Sequence, residues 1–247
     1  MRNSYRINNI FYSLQGEGRN TGRAAAFVRF AGCNLRCPFC DTEFDSYREM
    51  TADEILQEIA QFSSFHSPLS SFHSPLSSLH SPLSSLHSPL PSRFIVLTGG
   101  EPTLQVDEHF VDLLHQEGYE VAMESNGTRP APRNLDWLTV SPKMVDGGKS
   151  MVDGGRWKVD GEGKAPDEIK IVFEENTAEM LSSPASPLSS LLSHLSSLPS
   201  PPLLYLQPCD TGDSARNAFI LQQCISYIKQ HPQWRLSLQT HKLIGIE

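Results

Sequence analysis

Residues 65–92 read FHSPLSS, FHSPLSS, LHSPLSS and LHSPLPS, a seven-residue unit repeated with a proline in every copy. Leu69, Leu76, Leu83 and Leu90 keep a heptad spacing, yet no coiled coil follows, because each proline removes a backbone donor and clashes with the preceding turn. A Ser/Pro-rich low-complexity loop is expected instead. His66, His73, His80 and His87 recur at the same period, but a flexible Ser/Pro spacer gives a metal no fixed geometry. A related run, SSPASPLSSLLSHLSSLPSPP, fills 182–202, and a different unit, MVDGGKS, MVDGGRW, KVDGEGK, fills 144–164. In-frame tandem duplication accounts for a shared period of seven residues without requiring a function. Setting aside the two Ser/Pro runs leaves 198 of 247 residues, enough for a single domain spanning 1–247 that carries three insertions.

The chain has 28 acidic against 20 basic side chains, a net charge of −8, and no Lys/Arg cluster. That argues against nucleic acid as a primary ligand. No apolar run approaches the length of a membrane span, and residues 1–9 lack the apolar core of a secretory signal. A cytoplasmic protein is expected. Five cysteines are present, and Cys33, Cys37 and Cys40 fall within eight residues. In a reducing compartment such a trio points to metal binding rather than disulfides.

Between the repeats, strand and helix patterns alternate. Strands are expected at 25–31, 94–98, 120–124, 137–140, 168–173, 203–206 and 235–239. Helices are expected at 51–62, where Thr51 and Glu54 form a capping box, at 104–117, ending before Gly118, and at 215–229. The apolar run FIVLT is of the kind buried in parallel sheets. Repeated βα units predict an α/β fold with a right-handed parallel sheet, and the residue count is short of a complete eight-fold barrel, so a partial, open β/α barrel is expected. Function should lie at the C-terminal ends of its strands.

The sharpest motif is Gly32-Cys33-Asn34-Leu35-Arg36-Cys37-Pro38-Phe39-Cys40. Three thiolates so spaced suit a [4Fe-4S] cluster with one iron left open, or a zinc ion completed by a distant ligand such as His241 or Cys209. Taken with Gly99-Gly100-Glu101-Pro102 after FIVLT, CNLRCPFC resembles the cluster motif of the radical S-adenosylmethionine enzymes. More narrowly, Phe11-Tyr12-Ser13-Leu14-Gln15-Gly16-Glu17-Gly18, Cys40-Asp41-Thr42, Glu124-Ser125-Asn126-Gly127-Thr128, Ser141-Pro142-Lys143, Leu206-Gln207-Pro208 and Gln239-Thr240-His241-Lys242 resemble the 7-carboxy-7-deazaguanine synthases in order and placement. A glycyl-radical activase would share the cysteine spacing but lack QGEG and THK.

The resemblance implies a homodimeric partial barrel of the radical S-adenosylmethionine type. Its reaction is the radical-mediated ring contraction of 6-carboxy-5,6,7,8-tetrahydropterin to 7-carboxy-7-deazaguanine with loss of ammonia, on the route to queuosine. The implied cofactors are a [4Fe-4S] cluster, S-adenosylmethionine and Mg²⁺, with an electron donor such as flavodoxin or ferredoxin. By the same resemblance Cys33, Cys37 and Cys40 hold the cluster, Thr42 meets Mg²⁺, and Phe39 lies beside the adenine. Gly99, Gly100 and Glu101 receive the methionyl group, Glu101 offering its carboxylate to the ammonium. Ser125, Asn126, Ser141, Pro142 and Lys143 line the nucleoside. Leu14, Gln15, Gly16 and Glu17 bind the pterin, Arg29 meets the substrate carboxylate, and Thr98 and His241 reach the substrate. Read without the family, Arg29 is an outward strand position and QGEG a polar turn.

Overall fold

The computed structural model describes residues 4–40, 42, 43, 45–62, 93–145, 149, 150 and 163–246. The heptad insertion at 65–92 and most of the 144–164 repeat lie outside them. Strands β1 (Tyr5–Leu14), β2 (Ala24–Phe30), β3 (Arg48–Met50), β4 (Phe94–Gly99), β5 (Glu120–Ser125), β6 (Trp137–Val140), β9 (Glu168–Phe173), β10 (Leu203–Pro208) and β11 (Trp234–Leu236) form one sheet. Its order is β11-β10-β9-β6-β5-β4-β2-β1-β3. From β2 to β11 every pairing is parallel, while β1 runs antiparallel to both β2 and β3. The sheet does not close, since β11 and β3 remain its edges. A separate hairpin, β7 (Met144–Val145) with β8 (Lys149–Ser150), follows β6. The expected open β/α barrel is therefore observed, with β1 and the short β3 added.

The strands alternate between two packed faces, as the period of two requires. Ala26, Val28 and Phe30 of β2, Ile95 and Leu97 of β4, Val121 and Met123 of β5, and Ile169, Ile171 and Phe173 of β9 belong to the main core, which also holds the helices. Phe11, Ala25, Phe27, Phe94, Val96 and Ala122 form a second cluster on the concave face, where Phe11 and Phe27 stack at 4.9 Å. Phe11 and Phe27 of this cluster form an aromatic floor in the cavity at the C-terminal strand ends.

Local chemistry sets the helices. In α1 (Ala52–Phe62) the Thr51 backbone N–H donates to Glu54 Oε2 at 2.7 Å and the Glu54 N–H to Thr51 Oγ1 at 3.3 Å, the reciprocal capping box. The helix expected at 104–117 is divided: a 3₁₀ turn, Pro102–Leu104, precedes α2 (Glu108–Gln116), which Asp107 caps by accepting from the Phe110 N–H. Helix α5 (Ser214–Gln230) is capped by Asp213 in the same way. The strand expected at 235–239 stops at Leu236, and a short helix, α6 (Thr240–Ile244), ends the described chain.

One expectation is corrected. The run at 182–202 does not stand outside the fold. Helix α3 (Thr177–Ser182) leads into α4 (Pro187–Ser196), whose Leu188, Leu191 and Leu195 are buried in the main core. Pro187 occupies the first turn, where a missing N–H costs nothing, and Ser186 caps the Leu188 N–H. Residues 188–198 contain no proline, so the leucines reach helical spacing.

Candidate active site

The C-terminal strand ends surround a cavity of about 480 Å³, within the range of small-molecule sites. The turn after β4 is wedged against the cysteine loop: the Gly100 N–H donates to the Phe30 carbonyl at 3.0 Å and the Glu101 N–H to the Gly32 carbonyl at 2.9 Å. Gly99 has φ +127°, and a Cβ there would lie 2.1 Å from the Phe30 oxygen. At Gly100 a Cβ would lie 2.1 Å from the Gly32 oxygen and 3.1 Å from Cys33 Cβ. Glycine at both positions is thus a condition for this contact.

Cys33, Cys37 and Cys40 all line the cavity as free thiols. Burial pushes the Cys33 and Cys37 thiols above the usual range, an effect that the neighbouring Lys143 charge opposes at Cys37. Metal ligation demands thiolates and would reverse that shift. Cys33 Sγ accepts from the Leu35 N–H at 3.4 Å, and Asn126 Nδ2 approaches it at 4.0 Å. Among the described residues no three His, Cys, Asp or Glu side chains gather tightly around one point. The fit to an iron–sulfur cluster rests on the donor chemistry, three thiols of one loop opening onto one cavity beside two glycines that admit a ligand. Cys209 and His241, the zinc candidates, are also in the wall.

Phe39 and Thr42 share the cysteine side of the cavity with Ser125, Asn126, Ser141 and Lys143. Asn126 Nδ2 donates to Asn34 Oδ1 at 3.1 Å and Asn34 Nδ2 to Thr128 Oγ1 at 2.8 Å, latching the strand β5 exit to the cysteine loop. Lys143 Nζ donates to Ser141 Oγ at 2.7 Å and lies 5.9 Å from the Phe39 ring centroid. Burial, then the Lys170 charge, lowers its pKa.

Two of the expected site residues do not line the cavity. Glu101 is fully buried and does not reach the cavity. Its carboxylate accepts from the Thr103 N–H (3.0 Å), Thr103 Oγ1 (2.6 Å), Ser125 Oγ (2.8 Å) and the Asn126 N–H (2.7 Å). It ties the turn after β4 to the end of β5. Pro142 is buried outside the wall, while Ser141 and Lys143 on either side of it face in.

Arg29 is not an outward residue. Alternation along β2 puts Ala25, Phe27 and Arg29 on the concave face, and Arg29 pairs in register with Thr98 of β4. Its guanidinium lies 5.2 Å from the Phe11 ring centroid. No carboxylate of the described residues pairs with it.

Farther along the sheet is a polar network of different sign. Lys170 on β9 is 4% exposed and donates to Glu17 and, at 2.8 Å, to Glu124 Oε2. Gln15 Nε2 donates to Glu124 Oε1 at 2.8 Å, while Gln207 and Gln239 donate to Glu17 Oε1 at 3.2 and 3.1 Å. Burial alone would raise the Glu17 pKa, but the charge and hydrogen bond of Lys170, aided by Gln239 and His241, hold it below the usual carboxylate range. Leu14 and Gly16 complete this end with His241, whose Nδ1 lies 2.1 Å from the position a Cβ on Gly16 would take. The Gly16 carbonyl accepts from the Thr240 N–H at 3.0 Å and Oγ1 at 2.9 Å, so the chain end is fastened to the β1–β2 turn.

The sequence reading did not single out Lys170, Glu124, Gln207 or Gln239 as site residues, although the last three stand in motifs it quoted. The signal was alternation: in EIKIVF, Glu168, Lys170 and Val172 share the face opposite the three apolar residues of the core.

No protein-family model matches the chain. It is 37% identical to the 7-carboxy-7-deazaguanine synthase of Bacteroides thetaiotaomicron over 241 residues, covering 98% of each chain. It is 35% identical to that of Bradyrhizobium diazoefficiens over 261 aligned residues, covering 98% of this chain and 99% of the other. The crystal structure of QueE from Escherichia coli superposes with a TM-score of 0.61 at 25% identity, covering 95% of this chain and 93% of that one. With likeness at this level along nearly the whole of both sequences, and the same fold in a solved structure, the chain belongs to the 7-carboxy-7-deazaguanine synthase family of radical S-adenosylmethionine enzymes.

Proposed function

We propose that the protein converts 6-carboxy-5,6,7,8-tetrahydropterin to 7-carboxy-7-deazaguanine with loss of ammonia, in queuosine biosynthesis. One observation carries the reading. The cavity presents a guanidinium, Arg29 on β2, with no carboxylate partner among the described residues, and an anionic pair, Glu17 with Glu124, on the same concave wall, and both share the cavity with the cysteine trio. The pterin has the complementary polarity, a carboxylate at one end and an N–H-rich pyrimidine edge at the other.

Cys33, Cys37 and Cys40 would hold the [4Fe-4S] cluster, with S-adenosylmethionine reaching it over Gly99 and Gly100 beside Phe39, Ser125, Asn126, Ser141 and Lys143. When bound, these groups supply the one-electron chemistry that starts the ring contraction. Arg29 gives the substrate carboxylate two parallel N–H donors. Gln15 and Glu17 accept and orient the pyrimidine edge, Thr98 and His241 flank the ring, and the aromatic floor keeps water from entering below. Thr42 would contribute a neutral oxygen to Mg²⁺, leaving the ion to keep substrate and water oxygens. We read the chain as a single domain that acts in the cytoplasm as a homodimer with flavodoxin or ferredoxin as its electron donor.

Anaerobic purification should yield a brown protein with about four irons. Supplied with reductant, S-adenosylmethionine and the carboxytetrahydropterin, it should form 7-carboxy-7-deazaguanine, identified by mass. A cluster-loaded enzyme that leaves the pterin unchanged refutes the substrate assignment.

A further inference from the structure

We infer that Lys170 is a positioning residue whose ammonium, set between Glu17 and Glu124, fixes both carboxylates as acceptors for a ligand ring that presents N–H donors along one edge. This rests on the reading of the cavity as a pterin site and assigns a role to a residue that touches the carboxylates rather than the ring.

The geometry has three parts. Lys170 emerges from the middle of β9, 4% exposed, and lines the cavity. Its two carboxylate partners come from separate elements, Glu17 from the β1–β2 turn and Glu124 from β5. Each partner is also held on its far side, Glu124 by Gln15 and Glu17 by Gln207 and Gln239. A carboxylate pair offers about eight acceptor positions, and five are taken by these protein donors, leaving about three for a ligand. That number suits an amidine-like N–H edge.

Charge tells the same way. One ammonium against two carboxylates leaves the trio with a single net negative charge, which rewards donors and repels anions. The other titratable groups facing this network are Lys143, His241 and Glu168. Without Lys170, burial would dominate at Glu17, and the carboxyl would take up a proton instead of remaining an acceptor.

The test compares wild type, Lys170→Met and Lys170→Arg, all cluster-loaded. Lys170→Met should keep iron content and S-adenosylmethionine binding while raising KM for the carboxytetrahydropterin about a hundredfold or more. The weakening relative to wild type should grow as pH falls from 8 to 6, because protonation removes an acceptor. Lys170→Arg should recover much of the loss. A second readout needs no substrate: the infrared difference between Lys170→Met and wild type at pH 7 should contain a protonated-carboxyl band that disappears when Glu17→Gln is added. If Lys170→Met does not fold, Lys170→Gln, which keeps a neutral donor between the two carboxylates, takes its place, with the same rise in KM and the same carboxyl band expected. Wild-type KM in Lys170→Met, or no carboxyl band, overturns the inference. A wild-type enzyme that ignores the pterin while the band appears as expected overturns instead the substrate reading and leaves the positioning role standing.

Discussion

Replacing Arg29 with methionine tests the substrate assignment most directly. The side chain lies on the concave face of β2, in register with Thr98, with its guanidinium against the Phe11 ring and no carboxylate of the described residues to neutralise it. Methionine keeps most of the stem's bulk and adds no buried polar atom, so the strand and the aromatic floor should persist. A substrate carboxylate loses two charge-assisted hydrogen bonds, each worth about 1.5–3 kcal/mol. The combined loss of about 3–6 kcal/mol corresponds to about two to four orders of magnitude in kcat/KM. The lost contact with Phe11 adds about 0.5–1 kcal/mol, mostly to stability rather than to binding. The assay is anaerobic turnover of the carboxytetrahydropterin, with cluster iron and S-adenosylmethionine binding as controls that should not change. Arg29→Lys should restore only part, because an ammonium is a point charge and cannot match two carboxylate oxygens at once. Normal processing of the pterin by Arg29→Met would refute the reasoning and return Arg29 to a structural role.

Substituting Cys33, Cys37 or Cys40 by alanine should each abolish cluster retention and turnover, whereas Cys209→Ala and Cys224→Ala keep the brown colour; a colourless Cys209→Ala would overturn the ligand set. Gly100→Ala should weaken S-adenosylmethionine binding by about tenfold or more, measured by equilibrium dialysis, since its Cβ would fall 2.1 Å from the Gly32 oxygen. Leu188→Ala should lower unfolding stability by about 2–5 kcal/mol in a denaturant titration, and a change below about 0.5 kcal/mol would mean that α4 is not part of the core. Deleting 65–92 and joining the ends with a short Gly/Ser linker should leave turnover within a few-fold, because loop length changes closure free energy by only about 0.6 kcal/mol per doubling; loss of soluble protein would give the repeats a structural role.

Much of this protein is local and therefore written along the chain. The cysteine spacing, the Gly-Gly turn after FIVLT and the Thr51–Glu54 capping box each act within a few residues, so their geometry follows from adjacency. The strand order also follows closely from alternating βα units, because parallel crossovers are right-handed and short. Arg29 itself was legible only through family resemblance, since a lone arginine in AAFVRFA can face either way.

What the sequence could not decide on its own depends on contacts between distant segments. Whether the leucines of 182–202 were a low-complexity spacer or a core helix turned on the sheet offering them a surface, which β9 and its neighbours do. Glu101, next to two glycines that touch the cavity, is drawn inward by donors from Thr103 and from Ser125 and Asn126 on another strand. Lys170 is the sharpest case. Its chain neighbours are isoleucines, and nothing beside it marks a site. Its partners, Glu17 and Glu124, are 153 and 46 residues away. A buried charge is tolerable only where opposite charges meet it, and only the curled sheet brings those three residues to one point.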